Sequence, residues 1–151
     1  KYAVLLAELY KNNKLPEKAK AAYVELEKKY AEDADAQYAL AEYYKHLGDT
    51  LKYRNYVRKV ITNPVLDVET QAGMLAGYLR GLDWSDSANG KDAEILAASI
   101  AEQHPENVLA LSLYGDVLRF VGKDALANEQ YRQVIAMDPA KYNSWEQLFD
   151  R

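Results

Sequence analysis

Residue types recur along this chain at intervals of 34. Tyr10, Tyr44 and Tyr78 are each 34 apart, and Leu118 follows Tyr78 by 40. Ala7, Ala41, Leu75 and Gly115 repeat the intervals 34, 34 and 40, while Ala19, Tyr53, Ala93 and Ala127 give 34, 40 and 34. Pro105 and Pro139 are again 34 apart, as are Ala97 and Tyr131. One period, with a single six-residue insertion between Tyr78 and Ala93, accounts for every spacing. Such a period is a helix–turn–helix unit whose apolar face only its neighbour can cover, so the chain is constrained to successive helix pairs.

The residue types at the repeated places say how the pairs close. Small residues such as Ala7, Ala41, Gly115, Ala19 and Ala127 let two helix axes approach, with Tyr or Leu one turn away filling the space alongside. Gly48 and Gly122 stand where first helices end and a left-handed residue is wanted. Pro16 opens a second helix, where its missing N–H costs nothing. Pro64, Pro105 and Pro139 close second helices, because the residue before proline avoids helical angles. Helices are therefore expected over about 1–12, 16–30, 35–47, 50–62, 67–80, 91–104, 107–121, 124–137 and from about 142, with an irregular insertion over about 81–90.

These features resemble the tetratricopeptide-repeat (TPR) family, whose pattern runs W-x2-L-G-x2-Y, then A-x3-F, then P. The fourth unit fits best, with Leu111, Gly115, Leu118, Ala127, Tyr131 and Pro139. Trp145 and Leu148 stand at the W-x2-L places of a fifth. The resemblance implies an all-α, right-handed α-solenoid of antiparallel helix pairs in a single domain. Its units run over about 1–33, 34–67, 68–107 and 108–141, with a partial fifth over 142–151. Tyr53 replaces the family's Ala and predicts a more open second pair. The stretch from Leu51 to Arg80 resembles, more loosely, irregular units of long multi-repeat TPR proteins of the bacterial cell envelope. That looser likeness points to the periplasmic side of the envelope, with the cytoplasm as the alternative.

Composition excludes several classes of function. The 151 residues bury enough surface to fold without staples, and 49% hydrophobic with 28% charged residues is a globular balance. A net charge of −4 with no basic stripe argues against nucleic acid. The absence of cysteine removes disulfides and thiolate chemistry. No apolar run reaches the roughly 18 residues of a membrane helix. His46 and His104 are too few for a zinc or iron site and read as surface histidines at helix ends. No nucleotide-binding or serine-hydrolase string is present. Counted back from Gly90, the loop Asp83–Gly90 places Ser85, Ser87 and Asn89 at calcium-loop positions, and Leu96 stands where the bidentate Glu belongs. No cofactor, metal or catalytic residue is expected, and the chain is not read as an enzyme.

The resemblance implies that first helices line a groove that holds a protein or peptide. Its residues here would be Glu8 and Lys11; Tyr38, Glu42, Lys45 and His46; Leu79 and Arg80; and Ser112, Asp116, Arg119 and Phe120. Val4, Glu8, Glu42 and Glu69 occupy the places where relatives that hold chaperone tails carry a basic and asparagine clamp, so such tails are not expected to bind. Glu8, Glu42 and Asp116 each precede a basic residue by three, which predicts local ion pairs with Lys11, Lys45 and Arg119. Trp84 in the insertion is a second contact, since an exposed Trp anchors interfaces. Two other readings remain: a purely architectural segment of a longer solenoid, or an accessory to an enzyme domain elsewhere. A new helix is expected to begin near Tyr142, with the sequence stopping a few residues into it. Trp145 and Phe149 there predict exposed apolar surface and end-to-end self-association.

Overall fold

The computed structural model describes residues 2–137. Among these the chain is all-α, with eight helices and no strand. They are α1 (Tyr2–Asn12), α2 (Pro16–Lys29), α3 (Ala34–Leu47), α4 (Thr50–Thr62), α5 (Val68–Arg80), α6 (Ser87–Gln103), α7 (Val108–Phe120) and α8 (Asp124–Met137). Consecutive helices pair, α1 with α2 through α7 with α8. The chain gathers into two compact units, Lys1–Val65 with the first four helices and Leu66–Arg151 with the rest. The expected final helix, with Trp145 and Phe149, and Pro139 lie outside the described residues.

Helix starts are set by short acidic or amide side chains. Asp33, Asp49, Asp67 and Asn107 accept hydrogen bonds from the backbone N–H groups of Ala36, Lys52, Thr70 and Ala110 at 2.8–3.1 Å. Each satisfies a donor that the first helical turn leaves orphaned. Pro16 opens α2 in place of a side-chain cap. Gly48 and Gly122 follow α3 and α7 with φ of 78° and 85°, the left-handed residues the turns require.

Each unit has its own core. In the first, Ala7, Ala19, Tyr23, Leu40, Ala41, Val57 and Val60 are buried. In the second, Leu75, Ala97, Ile100, Leu118, Ala127, Tyr131 and Val134 are. A Cβ on Gly115 would lie 2.8 Å from Tyr131 Cε1, so only glycine permits α7 and α8 to meet this closely.

Burial also traps polar groups, and they are paired between helices. Gln37 Nε2 donates to the Ala31 carbonyl while its Oε1 accepts from Asn63 Nδ2 at 3.0 Å. Thirty-four residues on, the fully buried Gln71 donates to Gln103 Oε1 at 3.0 Å, and His104 Nε2 lies 2.9 Å from Gln71 Oε1. Each latch ties the start of a first helix to the end of its partner. His104 is thus a half-buried element of a latch rather than the surface histidine expected.

Two expectations about packing fail. The α3–α4 pair is not opened by Tyr53, which lies half-buried with Lys45 Nζ 5.9 Å from its ring centroid. The looser pair is α5–α6. The insertion is not all loop either: α6 begins at Ser87, four residues earlier than expected, with Asp86 accepting from Ala88 N at 2.9 Å.

Candidate functional site

In the first unit, the residues expected to line a groove divide. Glu8, Lys11 and Glu42 are half-buried, and Tyr38, Lys45 and His46 are exposed. Lys11 and His46 share the wall of a hollow of about 680 Å³ with Lys14, Pro16, Tyr43 and Leu47. Glu8, Tyr38, Glu42 and Lys45 lie outside its lining. The Tyr43 ring is stacked on Tyr23, with centroids 3.9 Å apart and planes 9° from parallel. Burial, then the nearby Glu17 carboxylate, raises the Tyr43 pKa. Burial, with Glu42 adding to it, does the same at Tyr38.

Glu27, which nothing in the repeat pattern singles out, knits this unit together. Its carboxylate accepts from the Tyr44 hydroxyl at 2.7 Å and the Tyr56 hydroxyl at 2.5 Å, with Lys52 Nζ at 3.4 Å. Burial pushes its pKa up, but the two hydroxyl bonds and the Lys52 charge outweigh that and hold it below the ordinary value. The same carboxylate, after burial itself, raises the pKa of both tyrosines.

In the second unit, Leu79, Ser112, Asp116 and Arg119 are half-buried, while Arg80 and Phe120 are exposed. The expected pairing of Asp116 with Arg119 is replaced: Asp116 Oδ1 accepts from the Tyr131 hydroxyl at 2.5 Å. None of the three expected ion pairs on first helices is among those of the described residues, which include Lys52–Glu27 and Lys123–Glu94. Exposed pairs of that kind contribute little, so water competes for these side chains.

Trp84 and Phe120, expected on separate surfaces, are brought together, with ring centroids 4.6 Å apart. Trp84 is half-buried; Phe120 is 68% exposed. They wall an open hollow of about 600 Å³ with Gly90, Lys91, Val121 and Lys123. α6 starts early and packs beside this contact. Its first turn carries Gly90 to where a Cβ would meet Val121 Cγ1 at 3.3 Å, against the end of α7. Lys123 Nζ is neutralised by Glu94 at 2.9 Å.

No family model matches the chain, and no curated protein matches it in sequence. A solved structure is similar in fold: the crystal structure of MamA, a TPR-containing protein. The TM-score is 0.60 at 13% sequence identity, covering 95% of this chain and 80% of that one. The chain has a TPR-like helical-repeat fold. Among the described residues, no helix is long and apolar enough to cross a membrane.

Proposed function

We propose that this chain is a non-catalytic scaffold that docks a protein or an extended peptide segment. A TPR-like fold suggests protein partners. The observation that carries the reading is Phe120, an aromatic side chain 68% exposed and held by Trp84 beside an open hollow. Large aromatics beside a concavity are what protein interfaces use as anchors. The first unit offers Lys11, Tyr38, Lys45 and His46 as further contacts. The test is capture of partners by the immobilised chain, compared with a Trp84→Ala/Phe120→Ala variant and a Tyr38→Ala/Lys45→Ala/Arg119→Ala variant, both matched for stability. A partner lost with either variant supports the scaffold reading. Retention by both at wild-type level would sink it.

A second reading, the architectural segment, has its own observation. Tyr2, Leu5 and Leu9 on α1 are 79%, 64% and 55% exposed at helical spacing, an apolar stripe that another helix would cover. End-to-end association of copies is the corresponding expectation. Replacing the three residues with Gln should then shift the sedimentation coefficient to that of a monomer; a monomeric parent chain would remove the argument. We propose an envelope location on the looser family likeness alone, and cell fractionation with an antibody to this chain tests it.

A further inference from the structure

The turns that join the two helices of a pair are built alike in three of the four pairs. The N–H groups of Gly48 and Asp49 donate to the carbonyls of Lys45 and Tyr44, and those of Gly122 and Lys123 to Arg119 and Leu118. Lys14 and Leu15 repeat this on Lys11 and Tyr10, at 3.2 and 3.0 Å. This closure places one residue in the left-handed region, where glycine is ordinarily used. Two turns obey, but the first holds Lys14 there at φ 57°, the one non-glycine residue with positive φ among those described. A Cβ is crowded in that conformation, so the first turn is strained where its two counterparts are not.

What Lys14 adds is a second ammonium group on the first unit's hollow, beside Lys11 and the His46 imidazole. Lys11, Lys14 and His46 line it, and no carboxylate does. None of the three takes part in an ion pair of the described residues. Lys11 and His46 sit in the last turns of α1 and α3, where a basic side chain favours the helix dipole. That accounts for them without any ligand. It does not account for Lys14, which lies beyond the helix end. The remaining wall is Pro16, Ala19, Tyr43 and Leu47, with the Asn12 carboxamide beside them. Two ammonium groups on one hollow, with the Glu17 carboxylate near Tyr43 as the one opposing charge, favour an anionic ligand in a chain of net charge −4.

We infer that this hollow, at the turn of the first helix pair, binds an acidic peptide segment, with side-chain carboxylates on Lys11, Lys14 and His46 and an apolar side chain against Tyr43 and Leu47. The inference rests on the scaffold reading and supplies the chemistry of one partner. The site is separate from the clamp positions that argued against chaperone tails, since Glu8 and Glu42 do not line the hollow.

The probe is a fluorescent decapeptide, capped at both ends, with four Glu flanking one Phe; its control carries Gln for each Glu. The full chain should bind the acidic peptide at least about tenfold more tightly than the control, with affinity falling as salt is raised. Lys14→Gly and Lys14→Gln should each weaken binding about three- to fivefold, the size of a single exposed charge contact. Lys14→Gly should also raise the melting temperature, which separates lost affinity from lost folding. Equal affinity for the two peptides, or unchanged affinity in both Lys14 variants, would overturn the inference. If that happens while capture still depends on Trp84 and Phe120, the acidic-ligand assignment alone has failed. If capture fails as well, the scaffold reading falls with it.

Discussion

Tyr23 and Tyr131 stand at equivalent repeat positions, both fully packed, yet their hydroxyls meet opposite fates. The Tyr131 hydroxyl donates to Asp116 at 2.5 Å. The Tyr23 hydroxyl is buried with no hydrogen-bond partner among the described residues, although Glu8 stands where Asp116 does in the later unit. Burial, then the charge of Glu8, pushes the Tyr23 pKa up to about 12. Replacing each tyrosine with phenylalanine preserves the ring and removes only the hydroxyl. At Tyr131 this deletes a hydrogen bond to a charged acceptor, ordinarily about 1.5–3 kcal/mol. Asp116 is half-buried and regains some water, so a loss of about 1–2 kcal/mol is expected. At Tyr23 it relieves an unsatisfied buried donor, so a gain of up to about 1–2 kcal/mol is expected. In a chain of this size each kcal/mol moves the melting temperature by about 2–4 °C. Urea unfolding followed by circular dichroism reads both variants, provided the slope is unchanged. Shifts of the same sign would refute the claim that the hydroxyl's partner decides its contribution. A loss at Tyr23→Phe would show that its hydroxyl is bonded, with Glu8, whose charge acts on it, the acceptor to suspect.

Gly115→Ala should cost about 1–3 kcal/mol, because the new Cβ would meet the Tyr131 ring at 2.8 Å; an unchanged urea midpoint would show that α7 and α8 can part without penalty. Gln71→Leu should cost about 1–3 kcal/mol by removing the Gln71 amide from Gln103 Oε1 and from His104 Nε2, and a neutral result would mean that water replaces the latch. Glu27 has a folded pKa below its ordinary 4.5, so the stability it contributes is full above that value and lost as pH falls through the folded one. Glu27→Gln should therefore be less stable than the parent near neutral pH, with the gap closing in acid. A gap that stays constant down to about pH 3 would remove Glu27 as its cause.

Much of the fold was legible because a helix fixes which of its faces a residue occupies. Ala7, Ala41 and Gly115 recur at one place in a 34-residue period, and all three are buried at helix contacts. Gly48 and Gly122 are likewise readable as turn residues, since glycine in that place has a local steric meaning. Lys14 was not, because its type says nothing of a left-handed backbone; only the hydrogen bonds shared by the three turns disclose it. The family likeness put Glu8, Tyr38 and Lys11 on one surface, but the packing at the first turn chose Lys11 and His46 for the hollow and added Lys14 and Tyr43. The Trp84–Phe120 contact joins residues 36 apart across an insertion that the period treats as blank. Periodicity is a property of single helices and survives in the sequence. Which side chains meet between helices depends on crossing angle and on where an inserted turn begins, and those are decided only when the helices pack.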